Sequence, residues 1–172
     1  NGIDHRNYPQ CDALITNDPG TALFVFTADC TPILLQDPVT GAVGAIHAGW
    51  RGTVGNIVAA GVQEMTSQGC EPGEILAAIG PCIGACCYQV GGEVYQAFSR
   101  LGDFSSCFTP DAEAGKYLLD LTSANRLLLL RTGLTEDHID EARVCTQCHG
   151  EYFFSHRRMG AERGTMSAFI TV

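Results

Sequence analysis

The run Ala42-Val43-Gly44-Ala45-Ile46 is apolar at every position and ends on His47. A strand that alternates polar and apolar residues can leave one face in water, whereas a strand without polar residues must be covered on both faces. A chain containing such a strand needs packed layers above and below one sheet. Directly afterwards the apolar period changes from two to between three and four. Val54, Ile57, Val58, Gly61, Val62 and Met65 form one stripe and predict a helix over 54–65 lying on that sheet, started by Thr53 or Gly52 and ended by Gly69.

Short apolar or β-branched runs predict further strands over 13–16, 22–27, 33–36, 42–47, 75–79 and 167–172, separated by turn signals such as Asn17-Asp18-Pro19-Gly20. Two more helices are expected over 94–101 and 123–132, the second capped by Ser123 or Thr122 and followed by Gly133. Paired strands with interspersed helices indicate an α/β (α+β) domain with mixed β-sheets flanked by helices. The chain has no repeats or low-complexity tracts, so a single domain over 1–172 is expected.

Ten basic residues oppose nineteen acidic ones, a formal charge of −9, which argues against nucleic-acid or anionic-membrane partners. Runs such as Leu127 to Leu130 are too short to span a bilayer, and no signal segment opens the chain, so a cytoplasmic location is expected. The nine cysteines are odd in number and spread along the chain. Buried small hydrophobes, metal ligands or reactive thiols are better readings for them than disulfides.

Two segments concentrate the unusual chemistry: Thr27-Ala28-Asp29-Cys30-Thr31-Pro32 and His47-Ala48-Gly49-Trp50-Arg51-Gly52. Cys30 and His47 each end a predicted strand, so neighbouring strands could bring thiol and imidazole together as ligands for zinc or copper. The alternative is a buried cysteine beside a hydrogen-bonded histidine. Arg51, in a glycine-flanked turn before a helix, suits an anion, and Trp50 either stacks on a planar ligand or anchors the core. No Walker or dinucleotide glycine pattern is present.

Cys145-Thr146-Gln147-Cys148-His149 matches the c-type haem attachment pattern, but export, a second axial ligand and a helical wrapper are not indicated. Ser155-His156-Arg157-Arg158, with Arg163 nearby, is either an anion-binding cluster or a solvated turn.

In sequence order, Asp12-Ala13-Leu14-Ile15-Thr16, the two segments around Cys30 and His47, Ile79-Gly80-Pro81-Cys82-Ile83-Gly84, Cys87-Tyr88-Gln89-Val90-Gly91, Leu119-Asp120-Leu121 and Phe154-Ser155-His156-Arg157-Arg158 resemble the YfiH-type family. This family is also known as the laccase-domain or multicopper polyphenol oxidase family and includes purine nucleoside phosphorylases. The resemblance implies a YfiH-like sandwich and a laccase-domain metalloenzyme. It also implies phosphorolysis of adenosine, inosine, guanosine and methylthioadenosine, with adenosine deaminase side activity. Its partners would be purine nucleosides and inorganic phosphate, and a monomer is expected.

The family's metal ligands are a histidine in an upstream Gln-Val-His motif, the cysteine of Ala-Asp-Cys and the histidine of His-Ala-Gly-Trp-Arg-Gly. Cys30 and His47 match the last two. The Gln-Val-His motif is missing, so the chain is expected to lack an N-terminal portion, with His5 the candidate substitute. The resemblance further implies substrate binding by Trp50, Arg51, Arg157 and Arg158, proton transfer by Asp29 or another carboxylate, and a site-facing thiol at Cys145. Cys148 and His149 lie outside the family motif, so Cys148→Ser is expected to leave metal binding intact, and the remaining cysteines are expected to be buried and inert. Zinc is favoured over copper because a type-1 copper plus a trinuclear cluster needs more than the five histidines present. A copper-dependent polyphenol oxidase and an inactive fragment with an incomplete metal site stay as alternatives.

Overall fold

A computed structural model describes residues 11–172, and His5 lies outside the described residues. The central sheet is built from β1 (Ala13–Thr16), β3 (Thr31–Gln36), β4 (Val43–Ala48), β5 (Leu76–Ile79) and β9 (Ile139–Glu141), in the order β1-β4-β3-β5-β9. Its neighbours are antiparallel except for the β5–β9 pair. Strands β2 (Ala22–Thr27) and β10 (Met166–Thr171) form a separate antiparallel pair.

The doubly apolar run is β4, and both its faces are covered. Val43 and Ala45 pack with Leu23 and Val25 of β2 and with Ala168 and Ile170 of β10. Ile46 and Ala48 face the larger core, where Val58, Val62, Met65, Leu128 and Leu129 meet the sheet. Complete burial of each such aliphatic side chain is worth roughly 1.5–3 kcal/mol, so these two interfaces fix the register of β4.

The helices are α1 (Trp50–Val54), α2 (Ile57–Ser67), α3 (Gly92–Leu101), α4 (Leu121–Arg131) and α5 (His156–Met159). The single helix expected over 54–65 is divided. Asn56 takes a left-handed conformation at φ 60°, so α1 ends before Gly55 and α2 starts afresh at Ile57. Asparagine tolerates this region better than most residues, which makes Gly55-Asn56 a natural break. The expected stop at Gly69 holds: the Gly69 N–H donates to Thr66 O and the Cys70 N–H to Met65 O, the two bonds of a Schellman motif.

The cap of α4 is Asp120, not Ser123 or Thr122. Its carboxylate accepts from the Ser123 N–H (2.9 Å) and the Ser123 hydroxyl (2.7 Å), which places Ser123 at the third helical position and the start at Leu121.

Strands β6 (Gln89–Gly91), β7 (Phe108–Pro110) and β8 (Lys116–Leu119) form a small sheet in the order β6-β8-β7. Tyr95 of α3 stacks on Tyr117 of β8 at 4.5 Å, and Phe98 meets Phe108 edge to face. These three strands and β9 are not legible in the sequence, because three of them are only three residues long and none is an unbroken apolar or β-branched run as β1 is. The architecture is the expected mixed α/β arrangement of several sheets flanked by helices. Among the described residues, no helix is long and apolar enough to cross a membrane.

Candidate metal and anion site

Strand pairing brings Cys30 and His47 together. In the β3–β4 register Pro32 lies opposite His47 and Thr31 opposite Ala48, so Cys30, one residue before β3, reaches the end of β4. Cys30 therefore precedes β3 and does not terminate the predicted strand over 22–27. Its thiol lies close enough to the His47 imidazole to influence the ring's titration. Gly49 makes room for this pairing, since a Cβ there would stand 2.9 Å from Cys30 Sγ.

The His47 Nδ1 is 2.9 Å from Asp12 Oδ1, and the His47 N–H donates to Asp12 O. Asp12 thus fixes both ring and backbone, an orienting role that reading by residue type missed although it opens the Asp12-Ala13-Leu14-Ile15-Thr16 segment. The Cys30 contact, chiefly, and the Asp12 carboxylate push His47 up to about 9 against the opposing effect of burial. With Nδ1 held by a carboxylate, the second ring nitrogen is the one left for a metal, the arrangement common to metal-bound histidines. His47 borders a cleft of about 230 Å³ whose other walls include Phe24, Val25 and Phe26.

Asp29 is a buried hub. Its Oδ1 accepts from the Thr146 hydroxyl (2.7 Å), while Oδ2 accepts from the Arg157 N–H (2.7 Å) and the Ser155 hydroxyl (3.1 Å). Thr146 and Ser155 are fully buried. The Asp29 backbone is left-handed, φ 84°, and its carbonyl accepts from the Ile83 N–H. One side chain therefore joins the approach to β3 to the segment between β9 and α5 and to the first turn of α5, and both its oxygens are already engaged.

The two arginines of the Ser-His-Arg-Arg segment separate. Arg157 donates from Nη1 to Gln89 O (3.0 Å) and places its guanidinium 5.2 Å from the Tyr88 ring. Arg158 turns elsewhere and donates from Nη2 to Gly150 O and Phe153 O, both at 3.1 Å. Its guanidinium is occupied in tying down the loop before α5. Arg51 lies over the Trp50 ring at 4.4 Å, and Trp50 packs against the main core. Tyr88, not singled out from the sequence, links these groups. Burial, with help from Cys30, pushes its hydroxyl up to about 12, while the Arg157 and Arg51 charges nearby pull it partly back.

Cys145 faces a different neighbourhood. The Gly84 N–H donates to Cys145 Sγ at 3.2 Å, and it is the adjacent Thr146 that reaches Asp29. Burial raises the Cys145 thiol, but the Gly84 and Cys148 N–H groups and the Cys86 and Cys148 thiols outweigh it and bring it down to about 7. Nor are the other cysteines uniformly buried: Cys70, Cys82 and Cys107 are, whereas Cys11, Cys86 and Cys148 are exposed. Surface placement at loop tips cannot be read from residue type, because cysteine behaves as a small hydrophobe by default.

The site is a thiol–imidazole pair where β3 begins and β4 ends in the central sheet, with the half-buried Tyr88 and the charges of Arg51 and Arg157 nearby. The sequence profile of the family described as multi-copper polyphenol oxidoreductase laccase matches residues 2–172, and the chain belongs to this family. It is 42% identical over 163 residues to a purine nucleoside phosphorylase of Bacteroides thetaiotaomicron, covering 94% of this chain and 60% of that protein. It is also 42% identical over 154 residues to adenosine deaminase RL5 of an unknown prokaryotic organism, covering 89% of this chain and 59% of the relative. The crystal structure of YlmD from Geobacillus stearothermophilus superposes with a TM-score of 0.88 at 41% identity, over 93% of this chain and 60% of that one. The chain thus spans about three-fifths of the length of these relatives.

Proposed function

We propose that this chain carries the metal and phosphate subsites of a purine nucleoside phosphorylase that also deaminates adenosine. The observation that carries the reading is the Cys30 thiol set against a His47 ring whose Nδ1 is held by Asp12. Cysteine sulfur and imidazole nitrogen suit zinc, with copper the other candidate, and the room left by Gly49 fits a compact metal pair. Cys30 and His47 would hold the ion, which supplies Lewis acidity to a substrate oxygen when bound. A catalytic zinc site uses three protein ligands, so a further donor is required beside these two. The names of the phosphorylase and deaminase relatives support the substrate class.

In phosphorolysis a phosphate oxygen forms a bond to C1′ of the ribose as the bond to the purine nitrogen breaks. Arg157 and Arg51 are assigned to the phosphate, with gains from positioning and charge neutralisation. Tyr88, kept neutral, lies beside Arg157, and Trp50 offers a planar face next to Arg51. Asp29 is assigned to positioning, because its oxygens already hold Arg157, Ser155 and Thr146. Arg158, spent on loop carbonyls, is left out of substrate binding.

Hypoxanthine release from inosine, measured with and without phosphate beside metal content by mass spectrometry, tests the reading. Phosphate-dependent release that is lost in Cys30→Ala and His47→Ala supports it. Copper-dependent oxidation of a phenol without hypoxanthine release overturns it in favour of the polyphenol oxidase.

A further inference from the structure

Four cysteines from two loops converge away from Cys30 and His47. Cys86 and Cys87 lie on the loop between β5 and β6, and Cys145 and Cys148 on the segment between β9 and α5. Their four sulfurs all lie within 4.8 Å of one another, the only group of three or more such ligands found among the described residues. Cys148 Sγ stands 3.5 Å from Cys86 Sγ and 3.4 Å from Cys87 Sγ. We propose that Cys86, Cys87, Cys145 and Cys148 bind a zinc ion as a structural tetrathiolate centre.

The geometry matches that ion. Zinc–sulfur bonds of about 2.3 Å in a tetrahedron put sulfurs roughly 3.8 Å apart, inside the spread seen here. Small side-chain rotations complete the shape. Cys145 and Cys148 have the two-residue spacing of a zinc knuckle, and the turn is closed by the His149 N–H donating to Cys145 O. On the other loop the Cys87 and Tyr88 N–H groups both donate to Gly84 O, which folds the vicinal pair toward the knuckle.

Gly84 completes the cradle. Its N–H donates to Cys145 Sγ, and a Cβ there would stand 3.2 Å from Cys145 Cβ and 3.3 Å from Cys86 Sγ. Thiolates select soft or borderline ions, and four of them without imidazole or water leave no open position, which marks a structural ion and not a catalytic one.

The position explains what the ion does. Besides the sulfur contacts, these loops are joined by the isolated Cys82–Cys145 bridge, with the Thr146 N–H donating to Cys82 O. One loop runs directly into Tyr88, and the other carries Thr146, which holds Asp29. A tetrathiolate zinc therefore staples together the two loops that frame the Cys30–His47 pair. The assignment is independent of the reaction proposed for that pair.

The test uses the full chain purified under reducing conditions. Zinc is counted per chain by mass spectrometry in the wild type and in Cys30→Ala, Cys86→Ser and Cys148→Ser variants. Cys30→Ala is expected to retain one zinc, and Cys86→Ser and Cys148→Ser each to hold one fewer than the wild type. Cobalt loaded into Cys30→Ala should give the visible bands of a tetrahedral tetrathiolate. Four thiols of Cys30→Ala should resist alkylation until a chelator is added, a measurement that needs no variant of the cluster itself. A Cys30→Ala protein without zinc or cobalt bands, iron in place of zinc, or cluster thiols that alkylate equally fast with and without chelator overturns the proposal.

Discussion

Replacing Asp29 by asparagine exchanges one carboxylate oxygen for an NH2 group and tests the hub directly. The carboxylate accepts three hydrogen bonds from groups 117, 126 and 128 residues away in sequence. Bonds to a charged acceptor contribute about 1.5–3 kcal/mol each, although members of one network do not add. In Asp29→Asn the hydroxyls of Thr146 and Ser155 can rotate to accept, but the Arg157 N–H can only donate. The amide oxygen must therefore take the Oδ2 position, and its NH2 group turns toward Thr146. The bonds survive in number but lose their ionic character, so a net loss of about 2–3 kcal/mol is expected. For a chain of this size that corresponds to roughly 4–12 °C in thermal midpoint. Urea unfolding should show a lowered midpoint with an unchanged slope. Asp29→Asn and Thr146→Val should also be non-additive in a double-mutant cycle. A change below about 0.5 kcal/mol, the range of an ordinary surface substitution, would refute the hub.

Gly49→Ala keeps an allowed backbone but brings a Cβ within 2.9 Å of Cys30 Sγ. Metal affinity at Cys30–His47 is expected to fall on the order of tenfold or more with the fold intact, as when a supporting contact is lost, measured by chelator competition in the Cys148→Ser background; unchanged affinity would remove Gly49 from the site. Asp120→Ala removes the α4 cap and should cost about 1 kcal/mol, read from urea midpoints. Asp37, in the β3–β4 turn, accepts from the Val39 N–H (2.8 Å) and the Thr40 hydroxyl (2.9 Å). Burial raises its carboxyl, but these bonds and the Cys70 thiol outweigh it, leaving the group below its ordinary value. A depressed carboxyl stabilises the fold above its unfolded pKa of about 4, and that stability is lost as pH falls through the lower folded value. The wild type should therefore exceed Asp37→Asn in stability at neutral pH by more than it does at pH 3 or below; a constant difference would contradict the bonding.

Much of the frame was legible because its causes are local. The apolar run of β4 demanded two covers, the 3.6-residue stripe marked α2, and Gly69 and Gly133 lie just past helices that they close through left-handed turns. The break at Gly55-Asn56 is not legible in the sequence because the stripe of apolar residues continues across it. The α4 cap was misplaced because Asp120, Thr122 and Ser123 all favour caps, and only the bond from the Ser123 N–H shows which residue serves.

By itself the sequence determined the layered α/β frame and the family, and offered a Cys30–His47 pair as one of two readings; the β3–β4 register brings the two together, with Cys30 just before β3 and not at the end of β2. Tertiary structure alone decided where the remaining chemistry points. Arg157 and Arg158 are neighbours in the chain, yet one lies against Tyr88 and the other holds carbonyls at Gly150 and Phe153. Cys145 joins the exposed Cys86 and Cys148 and the half-buried Cys87, while Thr146 beside it turns to Asp29. Side-chain direction in loops follows from contacts with segments far away in sequence, and no local period encodes it.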